Sequence, residues 1–101
     1  MRGADLVVRT LREAGVDTVF TLSGNQIMPL FDAFIGSSID LIHVRHEAAA
    51  VYMADAWSQL TGSVGVALVT AAPGFLNCLT ALYGARGTES AVVLLLSLIH
   101  I

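Results

Sequence analysis

Apolar residues recur along this chain at two spacings, and glycines and short polar clusters separate the segments that carry them. From Ala4 to Ala14 the apolar positions fall on one face of a helix, and Gly15 follows as a C-terminal stop. Short runs rich in β-branched and aromatic residues predict strands, and longer stretches with helical spacing predict further helices. The predicted strands are residues 17–22, 40–44, 64–71 and 91–97, and the other predicted helices are residues 27–36, 47–60 and 74–85.

The predicted strands alternate with helices along the chain. Strands that are almost continuously apolar are typical of parallel sheets buried on both faces. The sequence therefore predicts an α/β fold, with a doubly wound, mostly parallel sheet and helices on both faces. Because no helix follows the fourth predicted strand, we expect a bare face or edge there, and we interpret residues 1–97 as part of a larger domain truncated after that strand. We interpret residues 98–101 as a non-native or truncated tail.

Composition and charge exclude several classes of protein. The chain has 101 residues, 55% of them hydrophobic, a net charge of −3 and no lysine, so it lacks the clustered basic residues that bind nucleic acid. Its apolar runs, such as Ala91 to Leu96, are too short to cross a bilayer, and the N-terminus lacks the apolar core of a signal peptide. The single cysteine, Cys78, agrees with a reducing compartment. We therefore expect a cytoplasmic protein without a nucleic-acid or membrane partner.

The unusual residues fall in the turns that lead from a strand to a helix, which are residues 23–26, 45–47 and 71–74. In an open parallel sheet, ligands bind outside the carboxyl ends of the strands, where these turns lie. The first turn, LSGNQIM, has one glycine where a dinucleotide-binding G-x-G-x-x-G loop has three, and a Walker A loop needs a lysine. The sequence therefore predicts a ligand site at this edge that is not a nucleotide-binding loop.

Glu47 is the most informative residue of these turns. One interpretation is that its carboxylate only stabilises the first turn of a helix through the helix dipole, by about 0.3–1 kcal/mol. The other follows from its small, apolar neighbours, Ala48 and the AAPG turn, because a poorly solvated carboxyl is suited to sharing a proton with a ligand. His43 and His46 lie nearby in the sequence, but no metal-binding motif includes them, and we predict no metal site in this chain.

Two longer stretches carry a family resemblance. They read GVDTVFTLSGNQIMPLFDA and RHEAAAVYMADAWSQLTGSVGVALVTAAPGFLNCLTALYGA, and the second contains an R-H-E turn followed by a P-G-x-x-N turn. From Gly3 to Ser97 the chain resembles the N-terminal pyrimidine-binding domain of thiamine-diphosphate-dependent enzymes. Within them it is similar to the acetolactate synthase-like group, which includes benzaldehyde lyase-like and 2-hydroxyacyl-CoA lyase-like members. The resemblance implies a flavodoxin-like domain of a carboligase, 2-oxo-acid decarboxylase or lyase.

The resemblance also implies roles for residues that would touch the cofactor, thiamine diphosphate. Glu47 is implied to hydrogen-bond the aminopyrimidine ring and to exchange a proton with it, which activates the thiazolium carbon as a nucleophile. Pro73, Gly74 and Asn77 match the P-G-x-x-N turn, which in this family lies against the pyrimidine. Pro73 is then expected to give apolar contact, and Asn77 to support the polar network.

Other residues are implied to lie on the substrate side. Gln26 takes a position where some relatives have a histidine that faces the substrate, and the turn formed by Gly24 and Asn25 presents it. A glutamine amide can act there by hydrogen bonding alone. The implied substrate is a 2-oxo acid or an aldehyde. Ala48 stands where acetolactate synthases frequently have glutamine, and Asn25 where they usually have glycine. The resemblance therefore indicates the acetolactate synthase-like group more strongly than acetolactate synthase itself.

The resemblance further implies a homo-oligomer, a dimer or a tetramer, with the active site at the subunit interface. In this family the pyrimidine domain of one subunit faces the diphosphate-binding domain of another, and the G-D-G motif of that second domain is absent from this sequence. The Mg²⁺ ligands are therefore expected in a C-terminal domain, and the isolated chain is expected to be inactive. FAD is compatible with a full-length protein of this kind, but nothing in these residues indicates it.

Two non-catalytic hypotheses stay open at this point. One is a flavodoxin-like binding module in which Arg45 and Glu47 form an interface ion pair, and the other is a module that serves only as a dimer partner. The surroundings of Glu47 separate the binding module from the enzyme. An exposed Glu47 paired with Arg45 favours the module, whereas a half-buried Glu47 beside Pro73 favours catalysis.

Overall fold

The structure is a computed structural model, and it describes residues 2–97. Every predicted helix and strand is present, and the boundaries differ from the predicted ones by a few residues at most. The predicted tail, residues 98–101, lies outside the described residues. The elements are α1 (Gly3–Glu13), β1 (Thr18–Thr21), a 3₁₀ helix (Asn25–Ile27), α2 (Met28–Phe34), β2 (Asp40–His43), α3 (Glu47–Thr61), β3 (Gly65–Thr70), α4 (Pro73–Gly87) and β4 (Val92–Ser97).

The strands form one parallel sheet in the order β2-β1-β3-β4, which confirms the predicted α/β class. The chain moves in one direction from β1 to β2 and in the other direction from β2 through β3 to β4. Because parallel crossovers are right-handed, this reversal puts α2 on one face of the sheet and α3 and α4 on the other. The reversal also makes the gap between β1 and β3 a topological switch point, the usual place for a ligand in such sheets.

Two apolar clusters fill the space on either side of the sheet. Successive side chains of a strand point to opposite faces, so β3 contributes to both. Val66 and Leu68 pack with α1 and α2, whereas Ala67 and Val69 pack with α3 and α4. This central strand is therefore buried on both faces, as its apolar sequence predicts.

The edge strands depart from that pattern. β2 is largely exposed, because it pairs with β1 alone within the described residues. On β4, Val93 is 41% exposed and Leu96 is 38% exposed, and their positions along the strand place them on opposite faces. The predicted bare surface at the last strand is thus confirmed, and the prediction of strands buried on both faces is wrong for β2 and β4.

Small residues bring α3 unusually close to β3. Gly65, the first residue of β3, is buried, and a Cβ atom built on it would lie 2.0 Å from the backbone oxygen of Ala54. Ala50 and Ala54 of the same helix have no exposed surface. The alanines of α3 therefore serve as a close-packing surface toward the sheet.

Candidate functional site

The site at the carboxyl edge of the sheet begins with the start of α3. His46 is the N-cap of this helix, with extended backbone angles, and its Nδ1 accepts a hydrogen bond from the backbone N–H of Ala48 at 3.1 Å. This cap fixes where the helix begins and makes Glu47 its first residue. The carboxylate of Glu47 thus lies at the positive end of the helix dipole, which stabilises its charge.

Glu47 is half-buried and is held by a residue from another helix. Its Oε1 accepts a hydrogen bond from the Nδ2 of Asn77, in α4, at 3.0 Å. Its Oε2 accepts no hydrogen bond from any residue between 2 and 97. One oxygen of the carboxylate is therefore fixed, and the other is available to a ligand.

Arg45 does not pair with Glu47. In the described part of the chain, the ion pairs join Arg2 to Asp5 and Asp32 and Arg9 to Glu13, and Arg45 forms none. The arrangement required by the binding-module hypothesis, an exposed Glu47 paired with Arg45, is absent from residues 2–97. Glu47 is half-buried instead, and its Oε2 lies near Gly74, the residue after Pro73.

The turn between β3 and α4 lies beside the carboxylate of Glu47. Pro73 is the first residue of α4, and Gly74 after it is buried. A Cβ atom on Gly74 would lie 3.6 Å from the Oε2 of Glu47 and 3.6 Å from the side chain of Thr70. Since these are ordinary contact distances, the glycine leaves a space of about one methyl group beside the free carboxylate oxygen.

Ala72, just before Pro73, has φ of 51° and ψ of −97°. Residues other than glycine seldom adopt such angles, and they cost on the order of 1–3 kcal/mol where they occur. Strained backbone of this kind is found mostly at active sites and ligand-binding turns. Ala72 lies two residues before Gly74, so the strained backbone falls within the turn that lines the site.

Gln26 lies in the 3₁₀ helix after β1, on the other side of the switch point. Thr70, the last residue of β3, donates a hydrogen bond from its Oγ1 to the Oε1 of Gln26 at 2.7 Å. Gly24 permits this arrangement, because a Cβ atom on it would lie 2.4 Å from the Cβ of Thr70. Asn25 is exposed. With its oxygen engaged, the Gln26 amide presents its N–H groups as donors.

Thr70 connects the two groups of residues that the sequence singled out. It bonds Gln26, and its Cγ2 lies beside the space left by Gly74. No hydrogen bond joins Gln26 to Glu47 or to Asn77 in the described residues. Thr70 was not predicted from the sequence, and its place at the end of a central strand was the one signal that could have indicated it.

Cys78 contacts the backbone of Glu47 from the interior of the domain. Its side chain is fully buried between α3 and α4, and its Sγ donates to the backbone oxygen of Glu47 at 3.6 Å. Burial, with a smaller effect of the nearby Glu47 charge, raises the pKa of this thiol to about 11. The thiol therefore stays protonated and acts as a donor that anchors the first turn of α3.

Metal ligands are not assembled in the part of the chain that the structure describes. Residues 2–97 contain no group of three or more His, Cys, Asp and Glu side chains placed to share an ion. His43 instead packs edge-on against Phe31, with ring centroids 5.6 Å apart. Likewise, none of the helices between residues 2 and 97 has the length and apolar character needed to cross a membrane.

Fold and site together define a class of protein: a doubly wound α/β domain that presents a carboxylate and small residues at the carboxyl edge of its sheet. The chain belongs to the thiamine pyrophosphate enzyme family, as its N-terminal thiamine-pyrophosphate-binding domain, and residues 1–99 match the model of that domain. The predicted family is therefore confirmed.

Proteins similar to this chain include 2-hydroxyacyl-CoA lyases and acetolactate synthases. The chain is 48% identical over 93 residues to 2-hydroxyacyl-CoA lyase 2 of Xenopus laevis, covering 92% of this chain and 14% of that protein. It is 44% identical over 93 residues to the human 2-hydroxyacyl-CoA lyase 2, covering 92% of this chain and 15% of that protein. It is 46% identical over 93 residues to the catabolic acetolactate synthase of Raoultella terrigena, covering 92% of this chain and 17% of that enzyme. The chain thus spans less than a fifth of the length of these relatives.

Proposed function

We propose that this domain forms the pyrimidine side of the active site of a thiamine-diphosphate-dependent carboligase, decarboxylase or lyase, with Glu47 as the proton-exchanging carboxylate. The observation that carries the proposal is the Glu47–Asn77 pair, in which one carboxylate oxygen is held at 3.0 Å and the other is free of partners among residues 2–97. A carboxylate fixed in this way can give and take a proton without changing its position.

The residues around Glu47 fit the aminopyrimidine ring of the cofactor. The space that Gly74 leaves beside Oε2 gives a flat ring access to the carboxylate. Pro73 is exposed at the start of α4 and offers apolar contact, and Asn77 orients Oε1. In this proposal Glu47, Pro73, Gly74 and Asn77 bind the ring. When bound, thiamine diphosphate supplies a nucleophilic carbon and a sink for the electrons released when a C–C bond breaks.

Gln26 is proposed to face the substrate. Because Thr70 engages its amide oxygen, the N–H groups of Gln26 are suited to an acceptor such as the carbonyl or carboxylate of a 2-oxo acid, or an aldehyde oxygen. Gly24 and Asn25 shape the turn that carries it.

A second subunit of the full-length protein is proposed to complete the site in a homodimer or a tetramer. Supporting this, α4, which begins at the site, exposes apolar side chains: Leu76 is 64% exposed and Tyr83 is 76% exposed. Large exposed apolar groups that share one helix are typical of interaction surfaces. The diphosphate and Mg²⁺ are proposed to bind a further domain, FAD is left outside the proposal, and the reduced, buried Cys78 supports a cytoplasmic location.

A chimeric enzyme tests the role of Glu47. Residues 2–97 replace the matching segment of the Raoultella terrigena acetolactate synthase, to which 93 residues of this chain align. We expect the chimera to form acetolactate with thiamine diphosphate and Mg²⁺, and Glu47→Gln to lower kcat by about 10²- to 10⁴-fold, the usual contribution of an acid–base group. Asn77→Ala leaves Glu47 in place but unfixed and is expected to lower kcat about tenfold.

The matched control is Asp32→Asn, which removes the same charge from an exposed side chain of α2. Its kcat is expected to stay within about twofold of the chimera, as for most changes at exposed sites. Full activity of the Glu47→Gln chimera would refute the proposed role. A chimera that assembles to the size of the parent enzyme but is inactive would favour the alternative, a module that serves only for binding or as a dimer partner. The isolated chain is expected to show no turnover of pyruvate in the same assay.

A further inference from the structure

A cavity of about 440 Å³ lies at the opposite edge of the sheet from Glu47, where the strands begin. One side is formed by residues 14–18, the turn from α1 to β1. The other side is formed by the end of α3 and the turn after it, namely Trp57, Thr61, Ser63 and Val64. Its volume falls within the range of small-molecule sites, about 300–1,000 Å³.

The one charged side chain that lines this cavity is negative. Asp17 is the one ionisable residue of the lining, and within residues 2–97 it pairs with no basic side chain. Two helices, α1 and α3, also end here, each followed by a glycine in the left-handed conformation, Gly15 with φ of 87° and Gly62 with φ of 72°. The C-terminal end of a helix carries about half a negative charge, so both ends add to the charge of Asp17.

Two of the three hydroxyl groups of the lining, those of Thr18 and Thr61, have already used their protons. Thr18 donates its hydroxyl proton to the Oδ1 of Asp17 at 3.2 Å, and Thr61 donates its own to the backbone oxygen of Trp57 at 2.7 Å. What these groups offer to a ligand is therefore oxygen lone pairs. The oxygens of Thr18 and Thr61 therefore favour a ligand that brings hydrogen-bond donors.

Trp57 adds an aromatic surface. Its ring is half-buried and meets Phe20 edge-on, with centroids 6.0 Å apart, while the residue also lines the cavity. An indole face attracts cations, more strongly than any other side chain. A carboxylate, two helix C-termini, lone pairs and an indole all favour the same chemistry.

We propose that this cavity binds a small organic cation, of the guanidinium or alkylammonium class, whose N–H groups meet Asp17 and whose charge lies against the Trp57 ring. The site uses none of the residues proposed for the thiamine diphosphate reaction.

The fluorescence of Trp57, the only tryptophan in the sequence, reports binding directly. The 101-residue chain is titrated with butylguanidinium and, in parallel, with butylurea, which has nearly the same shape but no charge. We expect a saturable change with butylguanidinium and at least tenfold weaker binding of butylurea, because hydrogen bonds to charged groups are about twice as strong as neutral ones. Raising the salt concentration should weaken the first titration and leave the second unchanged.

Variants locate the site. Asp17→Asn is expected to weaken butylguanidinium about three- to fivefold, and Asp32→Asn, with the same loss of charge on an exposed part of α2, less than twofold. Far-UV circular dichroism checks that both variants are folded, and the comparison of the two ligands on the unaltered chain needs no variant. Equal affinity for the two ligands, a fluorescence change that never saturates, or unchanged affinity of the Asp17→Asn chain would each overturn the proposal.

Discussion

Replacing Gly65 with alanine tests how closely α3 must approach the sheet. The added Cβ would lie 2.0 Å from the backbone oxygen of Ala54 and 2.6 Å from its carbonyl carbon. Both are backbone atoms, so no change of rotamer can relieve the overlap. Since non-bonded carbon atoms prefer separations of about 3.5–4.0 Å, α3 must move away from β3 by roughly 1 Å or more.

The energetic cost should be at the upper end of the range for overpacked cores. Such substitutions commonly cost about 1–3 kcal/mol, and here the shift would also loosen Ala50, Val51 and Ala54, none of which has exposed surface. We expect the free energy of unfolding to fall by about 3 kcal/mol or more, out of roughly 5–15 kcal/mol for a typical domain. With a urea slope of about 1–2 kcal/mol per molar for a chain of this size, the midpoint should fall by about 2 M.

Gly84→Ala is the matched control. Gly84 lies within α4, and a Cβ atom built on it meets nothing within 4 Å. Alanine should therefore raise the free energy of unfolding by about 0.5–1 kcal/mol through helix propensity alone. Urea unfolding followed by Trp57 fluorescence, which reports from α3, and by circular dichroism measures both variants. A loss below about 1 kcal/mol for Gly65→Ala, or an equal loss for Gly84→Ala, would refute the steric argument.

Three further predictions follow from single contacts. Thr70→Val removes the hydroxyl that bonds Gln26, and urea unfolding should show a loss of about 0.5–1.5 kcal/mol; no loss would mean that the bond contributes nothing to stability. Side-chain hydrogen bonds lower the pKa of Asp55, and the bond from Ser90 has the largest effect. The stability that these bonds give is therefore complete above the unfolded carboxyl pKa of about 3.9, and it is lost as the pH falls through the lower pKa of the folded state. Urea midpoints measured from about pH 6 to pH 2 should therefore decline less steeply in Asp55→Asn, and identical slopes would contradict the assignment. Because burial raises the pKa of Cys78 to about 11, alkylation by iodoacetamide near pH 8, followed by mass spectrometry, should be at least about 100-fold slower in buffer than in urea, and similar rates would show an accessible thiol.

The sequence was sufficient to predict the fold because its local signals agree with one another. The apolar run of β3 and the glycines after α1 and α3 lie where the structure needs a buried strand and two helix ends. The exposure of β2 was not predictable, because its apolar sequence resembles that of a central strand and only the strand order shows that it lies at an edge. Strand order depends on contacts between distant segments, which periodicity does not report.

For the site, the sequence indicated the turns but not how they meet. Glu47 and Asn77 were each marked by a turn motif, yet the 3.0 Å hydrogen bond between them requires α3 and α4 to lie side by side on one face. Thr70 carries no motif at all, and its importance follows from the close approach of Gly24 across the switch point. The capping role of His46 was likewise hidden, because the residue at a helix start is seldom a histidine.

The turn at Ala72 has a consequence for how a ligand would be received. Its unusual backbone angles, followed at once by the fixed φ of Pro73, leave the chain very few alternative shapes at this point. The conformational entropy of the turn is therefore lost when the domain folds, and little of it would remain to be lost if the cofactor ring bound against Gly74 and Asn77, as proposed. A flexible turn with the same side chains would bind the same ring more weakly, since it would have to be ordered during each encounter.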